Sequence, residues 1–139
     1  MQKQDKIKKT KILVVDDEKS IRDFLRLFLK KKGYTNVRTV ENGQEALKAI
    51  QKEEFNLVLL DVKLPGMDGI ELLRQIKKIN KDTAVIMITG YPDEKKVKEA
   101  MQEGAYDYII KPFDLFYLEL VLLTKIIQLE ALRRSKKCL

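Results

Sequence analysis

Asn56-Leu-Val-Leu-Leu-Asp61-Val-Lys-Leu-Pro65-Gly-Met-Asp68-Gly69 carries an apolar run that ends on a carboxylate and passes at once into Pro-Gly and Asp-Gly turn residues. Aspartate is a poor strand residue and costly to bury without a partner. Its place at the end of such a run therefore reads as functional, with Asp61 as a nucleophile. Three further apolar runs flank it: Ile12-Leu-Val-Val15, Ala84-Val-Ile-Met-Ile88 and Tyr108-Ile-Ile110. All four are continuous rather than alternating, as in parallel strands covered on both faces. Thr35-Asn-Val-Arg-Thr-Val40 alternates and reads as an edge strand. Between the runs the spacing turns helical. Ile21, Phe24, Leu25 and Phe28 mark one helix, stopped by Gly33, and Ala46, Leu47 and Ile50 a second. Ile70, Leu73 and Ile76 mark a third, and Val97, Ala100 and Met101 a fourth that ends near Gly104. The last helix starts near Asp114 as N-cap and meets no Gly or Pro through Leu139. Five strands alternating with five helices predict an α/β fold, a doubly wound five-stranded parallel sheet with an extended C-terminal helix.

In such sheets ligands sit beyond the carboxyl ends of the strands. Those ends carry Asp16-Asp17-Glu18, Asp61, Thr89-Gly90 and Lys111-Pro112, so all four sets should meet on one rim. Three carboxylates brought together repel unless a cation lies among them, and hard oxygen donors favour Mg²⁺. The chain has no histidine and its one cysteine is Cys138, which argues against zinc. Lys111 would be a fixed cation opposite the metal, Thr89 a hydroxyl for a phosphoryl oxygen, and Gly90 would leave room beside Asp61. Phosphoryl transfer needs mainly positioning and charge neutralisation, which this set can supply, with Asp61 forming an acyl phosphate. Each residue alone has a plainer reading: Asp16 or Asp17 as a helix cap, Thr89 as a strand end, Lys111 as a solvated surface lysine. Their arrival at four strand ends favours function. Asp68-Gly69 and Pro65-Gly66 read as structural turn residues.

At 139 residues this is one domain, able to bury roughly two-thirds of its extended surface. With 45% hydrophobic and 35% charged residues it reads as ordinary globular protein. The start, MQKQDKIKKT, has no apolar core segment and does not read as a secretory signal. A single cysteine forms no internal disulfide, so a reducing, cytoplasmic setting is expected. Taking +4 for residues 1–11 and +4 for residues 133–137 from the net +7 leaves the body at −1. That balance does not support a basic groove for nucleic acid. The expected organisation is a basic N-terminal tail over 1–10, a domain over 11–130, and the basic end of the last helix over 131–139.

Lys11-Ile-Leu-Val-Val-Asp-Asp-Glu18, the Asp61, Pro65 and Asp68-Gly69 turn, Thr89-Gly90 and Lys111-Pro112-Phe113 together resemble the receiver domain of bacterial two-component response regulators. The resemblance spans about residues 10–130. It implies strand order 2-1-3-4-5. It also implies that Asp61 accepts a phosphoryl group from a sensor histidine kinase or phosphotransfer protein. Mg²⁺ would be held by Asp17 and Asp61, by Asp16 directly or through water, and by the backbone carbonyl of Lys63. Thr89 and Lys111 would hold the phosphoryl oxygens, the Lys111–Pro112 bond would be cis, and Tyr108 would occupy the aromatic switch position. The face of helix four, strand five and helix five would then signal to a partner. Lys63 and Tyr91 flank the path of hydrolytic water and predict a long-lived phosphoryl state.

In the last helix, Leu115, Leu118, Leu122, Ile126 and Leu129 form one apolar stripe, expected to face the sheet. Phe116, Leu120, Leu123 and Ile127 form a second, roughly 120° away. That second stripe predicts a homodimer or a partner. Glu119, Lys125 and Glu130 interrupt the run and argue against membrane insertion. Such helices often lead to an output domain in the family, so either a stand-alone receiver or a fragment of a longer regulator is expected. Four alternatives were separable. A phosphatase with an aspartyl-phosphate intermediate would want a second acid where Lys63 stands. A flavodoxin-like nucleotide or flavin module would want a phosphate loop where Asp16-Asp17-Glu18 stands. A phosphorylation-independent dimerisation scaffold would be expected to lack a key residue, and none is missing. The receiver reading, a phosphoacceptor rather than an enzyme on an external substrate, remains.

Overall fold

In a computed structural model of the chain, residues 7–90 and 92–138 are described, without the side chains of 133, 134 and 136–138. Five strands form one parallel sheet: β1 (Lys11–Val15), β2 (Asn36–Val40), β3 (Leu57–Asp61), β4 (Ala84–Thr89) and β5 (Asp107–Ile110). Five helices follow them in alternation: α1 (Lys19–Lys31), α2 (Gly43–Lys52), α3 (Gly69–Ile79), α4 (Glu94–Gln102) and α5 (Leu115–Cys138). The strand order is β2-β1-β3-β4-β5, with β2 on an edge. Both expectations are met, and the continuous runs explain why. Leu13, Val15, Val58, Leu60, Val85 and Met87 point into a core closed by α2, α3 and α4. Their neighbours Ile12, Val14, Leu57, Leu59, Ile86 and Ile88 point into a second core closed by α1 and α5. A strand between two cores needs apolar residues at every position. Each fully buried Leu or Ile contributes about 1.5–3 kcal/mol.

Local chemistry sets the helix starts. Asn42, Asp68, Asp93 and Asp114 accept backbone N–H bonds from Glu45, Ile70, Lys95 and Tyr117 at 2.9, 3.0, 2.9 and 3.1 Å. Helix α1 differs: Glu18 stands at its N-cap without a side-chain capping bond. The Glu18 carboxylate is therefore not consumed as a helix cap, while one oxygen of Asp16 accepts the Glu18 N–H at 2.9 Å. Gly69 is imposed by crowding, since a Cβ there would lie 2.5 Å from the Asp61 carbonyl oxygen and 2.7 Å from Val62 Cα. This close approach sets α3 directly against the end of β3. A two-residue antiparallel ribbon, Lys63–Leu64 with Met67–Asp68, shapes the intervening loop around Gly66, whose φ is +72°.

Several expected core positions lie outside the core. Phe24 is 43% exposed because Leu25, Phe28 and Leu29 already fill the space under α1; its ring stacks on Phe113 with centroids 6.2 Å apart. Met101 is exposed because α4 seats only Ala100 fully. Leu115 is exposed because the contact of α5 with the sheet begins one turn later, at Leu118, and continues through Val121, Leu122 and Ile126. Leu129 is half-buried. The second stripe is largely bare, with Phe116 at 88%, Leu120 at 60% and Ile127 at 65% exposure, while Leu123 packs against the core. The expected tail over 1–10 also needs correction. Residues 7–9 form a helical turn, and Ile7 is buried in the α1 and α5 core, so the folded unit starts before Lys11. Arg74 on α3 binds Glu71, Glu99 and Glu103 at 3.0, 2.7 and 3.0 Å, tying the thinly packed α4 to the domain. No helix among the described residues is long and apolar enough to cross a membrane.

Candidate functional site

The ends of β1, β3, β4 and β5 bring together Asp16, Asp61, Thr89 and Lys111, as the parallel topology demands. Asp16, Asp61 and Thr89 are buried, at 2%, 6% and 1% exposure. The backbone locks their positions. Asp16 N–H donates to the Val40 carbonyl at 3.2 Å, Val62 N–H to Ile88 at 3.1 Å, and Lys111 N–H to Thr89 at 2.7 Å. The Lys111–Pro112 peptide bond is cis.

Lys111 is the hub. Its Nζ donates to Asp16 Oδ2 at 2.9 Å and to Asp61 Oδ2 at 3.4 Å. Asp61 Oδ1 accepts the Lys63 N–H at 3.1 Å, and Asp16 Oδ1 accepts the Glu18 N–H at 2.9 Å. One ammonium thus serves two buried carboxylates. Burial, then the nearby Asp16 carboxylate, raises the pKa of Asp61, although Lys111 and the Lys63 N–H pull it down. For Lys111, burial pushes downward, but Asp16 and Asp61 outweigh it and the pKa lies above the ordinary lysine value.

Asp17 and Glu18 stand exposed at the mouth of this pocket, and carboxylate oxygens of Asp16, Asp17 and Glu18 lie within 4.8 Å of one another. Three hard anionic donors packed so closely, with the buried Asp61 carboxylate alongside, fit a small divalent cation such as Mg²⁺. The sequence reading left Glu18 out of the ligand set, although it stands in the same acidic run. Lys63 presents an exposed side chain just after Asp61. Tyr91 lies outside the described residues. Gly90 is not required by crowding: a Cβ there would meet nothing within 4 Å, so the expected need for room beside Asp61 does not arise at this residue.

Tyr108, on β5, is half-buried with its hydroxyl oxygen enclosed and lacking a full hydrogen bond among the described residues. Burial raises its pKa, while the Thr89 hydroxyl acts in the opposite direction. The adjoining Asp107 accepts the Tyr117 hydroxyl of α5 at 2.6 Å and the Tyr108 N–H at 2.7 Å. Strand β5 is thereby linked to α5 beside the enclosed phenol.

The sequence pattern of the response regulator receiver domain matches residues 12–122. The chain belongs to this family. Among relatives, the sporulation initiation phosphotransferase F of Bacillus subtilis (strain 168) is 43% identical over 105 residues, 76% of this receiver and 84% of its own length. The transcriptional regulatory protein ResD of the same organism is 43% identical over 109 residues, 78% of this chain and 45% of its own. The receiver thus spans less than half of ResD. A solved CheY-like receiver domain protein from Methanospirillum hungatei JF-1 superposes with a TM-score of 0.84 at 35% identity, covering 88% of this receiver and 97% of that chain. Receiver domains bind Mg²⁺ at an acidic pocket and interact with histidine kinases or phosphotransfer proteins, and the acidic rim described above has the donors for the former.

Arg22 was not anticipated. Its guanidinium donates to the Asp16 carbonyl oxygen at 2.8 Å and its side chain is only 15% exposed. The available signal was an arginine at a half-buried position of α1, one to two turns after the acidic run.

Proposed function

We propose that this receiver accepts a phosphoryl group on Asp61 from the phosphohistidine of a cytoplasmic sensor histidine kinase or phosphotransfer protein. The carrying observation is the Lys111 ammonium held between Asp16 and Asp61. Of the two buried carboxylates Asp61 is the less tightly engaged, with its bonds to Lys63 N–H and Lys111 at 3.1 and 3.4 Å against 2.9 Å for both of those to Asp16, which favours Asp61 as the acceptor. A carboxylate oxygen of Asp61 attacks phosphorus, the phosphorus–nitrogen bond breaks, and the imidazole leaves with the bonding pair and takes up a proton. Lys111 stays charged and faces the negative phosphoryl oxygens, and the Thr89 hydroxyl donates to one of them. When bound, Mg²⁺ would neutralise further charge, with Asp16, Asp17, Asp61 and the Lys63 carbonyl as ligands. On this reading the protein catalyses only its own phosphorylation and autodephosphorylation.

Signalling follows from the same contacts. Drawing Thr89 toward a phosphoryl group changes the surroundings of the Tyr108 phenol, and Tyr108 sits on the strand joined to α5 through Asp107 and Tyr117. The α4, β5 and α5 face is the output surface, and the bare stripe of Phe116, Leu120 and Ile127 supports a homodimer through α5. The receiver unit is taken as 11–130, joined by the Ile7 turn, with 131–139 as the basic end of α5. Incubation with Mg²⁺ and acetyl phosphate, followed by intact mass and size exclusion, tests both parts. One phosphoryl group per chain with earlier elution is expected. An unchanged mass overturns the reading, and an unchanged elution overturns only the phosphorylation-coupled dimer. An unchanged mass together with a dimer already present would favour a phosphorylation-independent scaffold instead.

Lys63 and Tyr91 should shield the phosphoryl group from water. The double variant Lys63→Asn with Tyr91→Glu is expected to lose phosphate on the order of tenfold faster, equivalent to about 1.4 kcal/mol of barrier. An unchanged rate of loss in a phosphate-release assay would refute that shielding role.

A further inference from the structure

We infer that Arg22 is a positioning residue that holds the three-acid turn of the rim in its metal-binding shape. This rests on the proposed reading of the rim. Arg22 reaches back from the first turn of α1 across Asp16-Asp17-Glu18: its backbone N–H makes the ordinary first helical bond to the Glu18 carbonyl at 3.1 Å, and its guanidinium donates to the Asp16 carbonyl at 2.8 Å. The Asp16 carbonyl lies beyond the β1–β3 ladder, whose register ends with Val15 opposite Leu60.

The turn needs such a closure. Its three carboxylates approach within 4.8 Å and repel, and an opened turn would relieve them at the expense of the shared site. Arg22 counters this with a permanent charge and a directional hydrogen bond to the main chain. Its other partner does not account for its enclosed position. The contact with Glu41 is 3.8 Å long and Glu41 is 60% exposed, an ion pair of the kind that contributes little. The bond to Asp16 is the short one, so the arginine acts through the backbone of a ligand rather than on substrate.

The test compares wild type, Arg22→Met, Arg22→Lys and Glu41→Gln by Mg²⁺ titration calorimetry well below the metal-free melting temperature. Arg22→Met should weaken Mg²⁺ binding about tenfold, the lower end of what loss of a supporting contact does to a metal site. Arg22→Lys, which can still donate once to the Asp16 carbonyl, should recover part of that loss. Glu41→Gln should stay within about twofold of wild type, as expected for a long exposed pair. In acetyl phosphate assays the Mg²⁺ concentration for half-maximal rate should rise in Arg22→Met while the rate at saturating Mg²⁺ is kept. A merely structural arginine would lower the melting temperature without moving the Mg²⁺ affinity, and that result overturns the inference. Should Arg22→Met not fold, Arg22→Gln is read by the same criteria. If wild type itself binds no Mg²⁺, the reading of the rim fails first; if wild type binds and Arg22→Met binds equally, only the role of Arg22 fails.

Discussion

Asp61→Asn is expected to abolish phosphoryl uptake and, in metal-free buffer, to raise the melting temperature. The first effect follows from removing the attacking oxygen. The second follows from the electrostatics of the pocket. Burial and the Asp16 carboxylate raise the pKa of Asp61, so the folded state holds the proton more tightly than the unfolded chain does. A carboxylate of that kind loses stability for the protein as pH rises from the unfolded value through the folded one. At neutral pH the ionised Asp61 therefore opposes folding. The amide keeps the shape and removes the charge, and Lys111 can then serve Asp16 alone. A gain of about 1 kcal/mol is expected, the scale on which relief of a functional site registers. For a chain of this size it corresponds to roughly 3–5 °C. Mg²⁺ should narrow the gap, because the wild type gains binding free energy that the variant, short of one ligand, cannot match. Calorimetry with and without Mg²⁺, paired with intact mass after acetyl phosphate, decides it. A variant that melts lower in metal-free buffer would refute the electrostatic account, and one that still takes up phosphate would refute Asp61 as acceptor.

The sequence carried this pocket unusually far because its parts lie at strand ends. A continuous run such as Leu57-Val-Leu-Leu60 identifies a strand between two cores, and parallel topology then fixes which end of every strand shares a rim. Asp16, Asp61, Thr89 and Lys111 are therefore legible together from the sequence alone. What was not legible depends on side-chain reach and local competition for space. Phe24 has the right spacing for the core, yet Leu25, Phe28 and Leu29 occupy it. Leu115 lies on the correct stripe of α5 but one turn before that helix meets the sheet. Ile7 sits in a lysine-rich stretch that reads as a solvated tail, and only the tertiary pocket near Gly33 gives it a place. The ribbon of Lys63–Leu64 with Met67–Asp68 is too short for a periodicity to mark it. Arg22 bonds a backbone carbonyl, a contact that no side-chain pattern encodes.

Lys111→Met should be the most damaging single change at the site for stability, and it should slow the chemistry as well. The ammonium is the one cation found bonded to both Asp16 and Asp61 among the described residues, and methionine keeps most of its apolar stem while removing the charge. Breaking a buried pair from one side leaves uncompensated charge, which costs several kcal/mol when burial is complete. The Lys111 side chain retains 16% exposure, so a loss of about 2–3 kcal/mol near neutral pH is expected. The pH dependence distinguishes this from lost packing. Without Lys111, which pulls it down, the pKa of Asp61 must rise further, so protonation of Asp61 in mild acid removes the repulsion. Stability of the variant relative to wild type should then be recovered near about pH 4 and lost progressively as pH rises toward about pH 7. Phosphoryl transfer from acetyl phosphate at saturating Mg²⁺ should fall about 10²- to 10³-fold, the usual cost of removing a group that faces charge developing in the transition state. A stability deficit of equal size at both pH values would assign Lys111 a packing role and remove the electrostatic basis of the site; a variant that transfers phosphate at the wild-type rate would remove its role in the chemistry.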